Sequence, residues 1–200
     1  MLMATSLKST IKRCYKLHVE LAEVTPLIWR DIWVEGQMPL IQLHHIVQAA
    51  MGWTDAHLHQ FTIGDTRYAT PDPEDDPESP VVDERRVKLR DVLERDLEFD
   101  YLYDFGDGWC HKISVEEVEP MKQPAGYAYV SDGARACPPE DCGGAYGYQE
   151  FLDDLAAKPK SKAVKEFLKW AGHDFTPERF DRHATNAALL RMAWNHWGKR

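Results

Sequence analysis

The stretch from Leu97 to Val118, LEFDYLYDFGDGWCHKISVEEV, constrains the fold of this chain more than any other segment. Apolar and polar residues alternate on both sides of a glycine-rich centre, which is the period of strands that bury one face. Two such strands joined through glycines are typical of a β-hairpin. The segment therefore predicts a hairpin against which the later parts of the chain pack.

The length of the turn decides which faces of the two strands meet. An even-numbered loop would pair Asp104 with Trp109 and place carboxylates on the apolar side of the partner strand. An odd-numbered loop centred on Gly106 pairs Tyr103 with Trp109 instead. The same register pairs Tyr101 with His111, Phe99 with Ile113, Leu102 with Cys110, and Asp100 with Lys112. We predict the odd-numbered loop, with Gly106 or Gly108 at positive φ.

Two motifs connect the chain to a known family. The hairpin contains YDFGDGWCHKI, and Cys137 to Leu152 reads CPPEDCGGAYGYQEFL. Both resemble the plasmid pRiA ORF-three-like family, whose members often carry the label of insertion-element passenger TnpR proteins. The segments VTPLIWRDIWV, HHIVQAAMGW, HLHQF and FTPERFD fit the same family in the same order. The resemblance covers Tyr15 to about Asn186 and implies an intracellular α+β domain found beside mobile elements, with no settled biochemical activity.

Length and composition favour one soluble globular unit. Two hundred residues can bury a substantial core, and we predict a single α+β domain over residues 12–195 after a loose tail at 1–11. The net charge of −9 disfavours broad nucleic-acid binding. No apolar run is long enough for a membrane span, and the N-terminus lacks the apolar centre of a signal peptide. Four cysteines do not suggest a disulfide scaffold, so we expect a cytoplasmic protein.

The remaining elements are predicted from the hydrophobic periodicity and from the prolines and glycines that bound helices and strands. Tyr15 to Glu35 predicts a first hairpin, and a helix beginning at Pro39 should end at Gly52. The other expected elements are strands at 57–63, 67–69 and 127–130, a short helical piece at 88–93, and helices at 148–157, after Ser161, and at 185–197. PDPEDDPESP at 71–80 predicts a mobile acidic loop. The fold class is α+β: a mixed or mainly antiparallel sheet from two hairpins, one helix between them, and C-terminal helices over the sheet.

A metal site is the first chemical hypothesis. Cys137 and Cys142 lie on one loop, and His59 and His111 lie on strands that could converge with them, which are ligand types that zinc prefers. A lone C-x4-C with two prolines between the cysteines is a weak signal. The alternative is that both thiols pack and anchor the loop. We favour the alternative and expect no cofactor.

Acid–base chemistry at the hairpin turn is the second hypothesis. Asp104, Asp107 and His111 surround the turn, and Glu140 with Asp141 could approach it. Together with His59 these groups would suit metal-assisted hydrolysis. The alternative is structural: Asp107 accepts from backbone donors of the turn, and His111 is a partly buried ring beside Tyr101.

A recombinase mechanism lacks its residues, whatever the family label. Ser6 and Ser9 lie in a polar tail with few basic residues nearby, whereas a serine recombinase needs its serine among arginines. Arg182 and His183 alone do not make up the arginine–histidine active site of a tyrosine recombinase. Cys110 has no base in evident reach. We therefore predict no cutting and rejoining of DNA.

Nucleic-acid contact and ligand binding are the remaining possibilities. A basic run consists of Lys158, Lys160, Lys162, Lys165 and Lys169, which could bind phosphate or simply form a solvated helix face. A groove beside CPPEDCGGAYG could bind a protein or small ligand. Its candidate binding residues are Tyr103, Trp109, His59, Glu140, Asp141, Tyr146 and Tyr148. The prediction is a non-enzymatic binding module, with a metal-assisted hydrolase or a nucleic-acid-binding accessory protein as alternatives.

Overall fold

The computed structural model describes residues 12–72, 80–121, 126–172 and 174–197. Within these residues one sheet contains eight strands: β1 (Arg13–Leu21), β2 (Ile28–Glu35), β3 (His59–Ile63), β4 (Thr66–Ala69), β5 (Val82–Asp83), β6 (Glu98–Tyr103), β7 (Trp109–Pro120) and β8 (Tyr129–Ala134). Their order is β5-β4-β3-β6-β7-β1-β2-β8. All neighbours are antiparallel except β4 and β5.

Five α-helices and one short 3₁₀-helix (Glu84–Arg86) accompany the sheet in the described ranges. The α-helices are α1 (Leu40–Met51), α2 (Leu89–Val92), α3 (Gly144–Ala157), α4 (Lys162–Ala171) and α5 (Arg182–Trp194). The predicted α+β class, with a mainly antiparallel mixed sheet and C-terminal helices, is confirmed. Each of these helices falls short of the length or apolar character that a membrane crossing needs. The tail at 1–11 and most of the predicted acidic loop, at 73–79, lie outside the described residues.

The central hairpin has the predicted register. Tyr103 pairs with Trp109, and the other predicted partners across β6 and β7 also face each other. The loop spans 104–108, and Gly108 has a positive φ of 68°. Asp104 Oδ1 accepts hydrogen bonds from the backbone N–H groups of Gly106 at 2.9 Å and Asp107 at 3.3 Å. The turn-stabilising role expected of Asp107 therefore belongs to Asp104.

The first hairpin and α1 complete the core around the central pair. β1 lies between β2 and β7, and its alternate residues are fully buried. The helix α1 buries an apolar face that includes Leu40, Leu43 and Val47, and Gly52 ends the helix as predicted, in the left-handed region at φ 95°. Pro39 is the extended residue that precedes the helix, where its missing N–H costs nothing.

The C-terminal helices differ from the expectation at their ends. Residue Ser161 caps α4 by accepting from Val164 N, as predicted. The helix α5 begins and ends three residues earlier than expected. The helix α3 begins at Gly144, four residues before the expected start at Tyr148. Gly144 lies against the hairpin turn, where a Cβ would be 2.3 Å from Asp107 O. The close packing there requires a glycine, although glycine has a low helix propensity.

Candidate functional site

The segment 54–59, which is the end of the α1–β3 loop and the first residue of β3, joins two clusters of polar side chains. Asp55 and His59 turn towards a buried cluster beneath α1, whereas Thr54 and His57 turn towards the hairpin turn. Between them, the backbone N–H of Ala56 donates to the Tyr103 hydroxyl at 3.1 Å. The same short segment therefore positions side chains at both places.

The buried cluster is a continuous chain of hydrogen bonds. Gln48 Nε2 donates to the Tyr101 hydroxyl at 2.9 Å, and that hydroxyl lies 2.7 Å from His44 Nδ1. His44 Nε2 lies 2.5 Å from Asp55 Oδ1, and His45 Nδ1 lies 2.7 Å from Asp55 Oδ2. Because Gln48 donates to Tyr101, the tyrosine proton can go to His44 Nδ1. His44 then donates from Nε2 to Asp55.

Burial and hydrogen bonding fix the charges in this cluster. Burial lowers the pKa of His44 to about 4, against the opposing effect of its hydrogen bond to Asp55. Burial tends to raise the pKa of Asp55, but the hydrogen bonds from both histidines outweigh it and hold that pKa well below its usual range. At neutral pH the cluster therefore contains a neutral His44 and an ionised Asp55.

His59 extends the cluster to a second buried carboxylate. Its ring stacks on His44, and its Nε2 lies 2.9 Å from Glu84 Oε2. The Thr70 hydroxyl donates to the other oxygen of Glu84 at 2.9 Å. His59 was predicted to converge with the cysteines, but the partners that the structure gives it are His44 and Glu84.

The second cluster lies at the hairpin turn and is more open to solvent. His57 Nε2 is 3.7 Å from Asp104 Oδ2 and 3.7 Å from Asp141 Oδ1. Beside it, the Tyr103 hydroxyl donates to Glu140 Oε1 at 2.6 Å, and Thr54 Oγ1 donates to Glu140 Oε2 at 2.5 Å. Four predicted site residues thus meet near the turn: Tyr103, Asp104, Glu140 and Asp141.

Three of the remaining candidates lie in the core: His111, Trp109 and Tyr148. His111 is fully buried, with Nδ1 3.1 Å from Trp109 O and 3.3 Å from Tyr101 O. Burial lowers the pKa of His111 to about 4. Trp109 and Tyr148 are also buried, whereas Tyr146 is largely exposed. Asp107 has one buried carboxylate oxygen without a hydrogen-bond partner in the described chain.

The cysteines are unpaired and poorly suited to nucleophilic chemistry. Burial raises the pKa of all four thiols, that of Cys142 to about 12. The guanidinium of Arg182, considered above for recombination, donates to Ser131 O at 2.6 Å. Ser6 and Ser9 lie outside the described residues.

Three groups in the described ranges bring at least three metal-ligating side chains together. They are His44, His45 and Asp55; His57, Asp104 and Asp141; and His18, Asp31 and Glu116. None contains His59, His111, Cys137 or Cys142. In the third group, Lys16 Nζ lies 3.1 Å from Asp31 and 2.8 Å from Glu116, so an ammonium already forms ion pairs with both carboxylates.

A cavity of about 360 Å³ lies between α1 and α5, beside the buried cluster. His45, Gln48 and Asp55 form its polar side, Trp53 and Met192 contribute apolar surface, and Arg191 lies on α5. Gln48 is almost completely buried, yet its Oε1 accepts no hydrogen bond from the described residues. A smaller cavity of about 260 Å³ separates α3 and α4 and includes Ala163 and Phe167.

The predicted basic run lies on and before α4. All five of its lysines are exposed, and Lys162 lies 3.6 Å from Glu166 one turn along the helix. Exposed side chains of this kind suit a solvated helix face as well as phosphate binding. Nucleic-acid binding through the run stays a prediction.

Sequence reasoning missed His44, His45, Asp55 and His57 as candidates. One signal was present: His44 and Gln48 fall at i and i+4 on the same face of α1 as Leu40 and Val47. Polar residues on a buried face require partners. The partners, Tyr101 and Asp55, come from distant or irregular segments, which periodicity does not reveal.

Comparisons with known proteins agree with the motifs. The family model described as plasmid pRiA4b ORF-3-like protein matches residues 13–184. The uncharacterized protein y4hQ of Sinorhizobium fredii is 38% identical over 182 residues, which cover 89% of each chain. The crystal structure of a protein of unknown function, MM3350 from Methanosarcina mazei Go1, is similar with a TM-score of 0.76 and 33% identity, covering 86% of this chain and 97% of that one. The chain therefore belongs to the plasmid pRiA4b ORF-3-like family, as its motifs had predicted.

Proposed function

We propose that this protein is a cytoplasmic, non-enzymatic binding module that holds a small molecule in the cavity between α1 and α5. The observation that carries the proposal is the cavity of about 360 Å³ with His45, Gln48 and Asp55 on its polar side. Imidazole, amide and carboxylate groups on a cavity wall can hydrogen-bond a small molecule that enters it.

The size and lining of the cavity support the same assignment. Small-molecule sites usually have volumes of roughly 300–1,000 Å³ and an apolar wall with a few polar groups. Here Trp53 contributes an indole whose N–H is already committed to Pro138 O at 2.9 Å, so it offers mainly apolar surface. The exposed Arg191 on α5 adds a positive charge suited to an anionic group.

The chemistry of the titratable groups favours binding over covalent catalysis. The pKa of every thiol is raised, and the pKa values of His44 and His111 are lowered to about 4. None of these groups has a pKa shifted towards neutral pH, which is where the pKa of an efficient general base or nucleophile lies. Unpaired cysteines support a reducing compartment, and the plasmid in the family's name supports an association with mobile elements.

Native mass spectrometry of protein purified from its native cell tests this proposal. We expect a non-covalent adduct of small-molecule mass that denaturation releases. Ala188→Trp, which fills the α1–α5 cavity, should abolish the adduct, whereas Ala163→Trp, the same change in the α3–α4 cavity, should keep it. The proposal fails if the wild type carries no adduct, or if both variants keep it.

Metal-assisted hydrolysis at the hairpin turn is the second candidate. It is favoured by the cluster of His57, Asp104 and Asp141, in which one oxygen of each carboxylate lies 3.7 Å from His57 Nε2, a separation that leaves room for an ion. Two carboxylates would suit a hard ion such as Mn²⁺. Mn²⁺-dependent cleavage of chromogenic phosphate or carboxylate esters should then disappear in Asp104→Asn and persist in His45→Gln. No cleavage by the wild type would exclude this function for those substrates.

A further inference from the structure

We propose that His44, His45 and Asp55 form a site for one divalent transition-metal ion, such as Zn²⁺ or Fe²⁺, on the wall of the α1–α5 cavity. Two imidazoles and a carboxylate are a ligand set that these ions prefer. The ligating atoms already lie within 4.8 Å of one another. The site is independent of the small molecule proposed above and requires no activity.

The geometry needs only a small adjustment to admit the ion. The Asp55 oxygens lie 2.5 Å and 2.7 Å from the histidine nitrogens. Ligands bound at roughly 2.0–2.2 Å from a shared ion are about 3.0–3.5 Å from one another, so the carboxylate has to withdraw by less than about 1 Å. The two histidine nitrogens, which lie within 4.8 Å of each other, have to reach the same separation. Asp55 lies on the loop between α1 and β3, where such a movement disrupts no helix or strand hydrogen bond.

Tyr101 and Gln48 support the change of tautomer that ligation requires. When His44 binds the ion through Nε2, its proton lies on Nδ1 and is donated to the Tyr101 hydroxyl. That hydroxyl then needs an acceptor, and reversal of the Gln48 amide brings Oε1, the oxygen without a partner, to it. Such outer hydrogen bonds orient ligating histidines in metal sites.

The surroundings also suit an exchangeable ion. His45 and Asp55 both line the cavity, so the ion is accessible and keeps open coordination positions there. The two other groups of potential ligands are less suitable. In the group of His18, Asp31 and Glu116, the Lys16 ammonium already pairs with a carboxylate. The turn cluster includes Asp141, which is largely exposed to solvent.

Cobalt(II) titration of the full chain tests the proposal, because Co²⁺ replaces these ions and its visible absorption reports the ligand geometry. We expect one Co²⁺ per chain with a low-symmetry spectrum. His45→Gln and Asp55→Asn should each weaken the affinity by about 10-fold or more. His57→Gln, the matched change in the turn cluster, should leave affinity within about two-fold of wild type. Circular dichroism confirms that each variant is folded.

Three results would contradict the proposed metal site. They are no Co²⁺ binding by the folded wild type, an unchanged Co²⁺ affinity in folded His45→Gln, or a loss of Co²⁺ affinity in His57→Gln alone. If Asp55→Asn does not fold, His45→Gln decides alone, because His45 is only partly buried. The titration contains no organic ligand, and the adduct experiment above is repeated with a chelator present. The two proposals therefore succeed or fail separately.

Discussion

The rings of His44 and His59 lie face to face, with centroids 3.4 Å apart and planes within 4° of parallel. One ring comes from α1 and the other from β3, and each leads to its own carboxylate, Asp55 or Glu84. Glu84 is completely buried. Buried polar groups of this kind persist only where partners surround them. The stacked pair therefore connects α1 to the sheet through a buried polar network.

Arg30 should contribute strongly to stability, because it is a buried cation whose partners are backbone carbonyls. It donates to Ala50 O, Trp29 O, Ala134 O and Arg135 O over 2.7–3.0 Å. Replacing it with methionine removes all four bonds, and we expect a loss of about 3–5 kcal/mol in the free energy of unfolding. Chemical denaturation measures this loss. Arg135→Met, at a less buried arginine, should cost clearly less, and equal losses would contradict the role given to Arg30.

Gly144 should tolerate no side chain, since its Cβ would lie 2.3 Å from Asp107 O and its φ is +67°. Gly143→Ala is the matched control, because its φ is +87° but its Cβ would meet only Gly147 Cα at 3.7 Å. We expect a loss of about 1 kcal/mol for Gly143→Ala from the backbone conformation alone. Gly144→Ala should lose clearly more in thermal unfolding. Similar losses would mean that α3 does not pack tightly on the hairpin turn.

The Tyr103 hydroxyl should hold the loop before α3 against the sheet. Tyr103→Phe removes the bond to Glu140 and the one from Ala56, with an expected cost of about 1–2 kcal/mol. Amide hydrogen exchange should increase at Ala56, whose N–H loses its acceptor. Tyr146→Phe changes an exposed hydroxyl and serves as the control. Unchanged exchange at Ala56 would contradict this role.

His111 should make stability depend on pH in the acid range. Its pKa falls from an ordinary 6.5 to about 4 on folding, so the unfolded chain binds more protons between these values. The free energy of unfolding therefore falls by up to about 3 kcal/mol as the pH falls from 6.5 to 4. Above pH 6.5 this residue causes no change in stability with pH. His44 adds a similar contribution.

Denaturation of metal-free protein at several pH values checks this dependence. His111→Gln should flatten the loss between pH 6.5 and 4 by about half, whatever its effect on stability at pH 7. His183→Gln, at an exposed position, should keep the wild-type slope. An unchanged slope in His111→Gln would show that this imidazole is not held neutral by burial.

The hairpins and α1 were predictable because their signals are local. Alternation, charge pairing and loop parity were sufficient to place Tyr103 opposite Trp109. The start of α3 was not predictable, since Gly144 is selected by a contact with Asp107 in another part of the chain. The buried cluster was missed for the same reason: Asp55 lies in an irregular loop, and nothing local indicates that it returns to His44 and His45.

The segment 54–59 serves both polar clusters, with Asp55 on one side and His57 on the other. If an ion at Asp55 moves this backbone, it also moves His57 and the Ala56 N–H. Thermodynamic linkage then makes the effect mutual: occupancy of either place changes affinity at the other by one common factor. One short segment of chain would in this way give the protein two communicating sites.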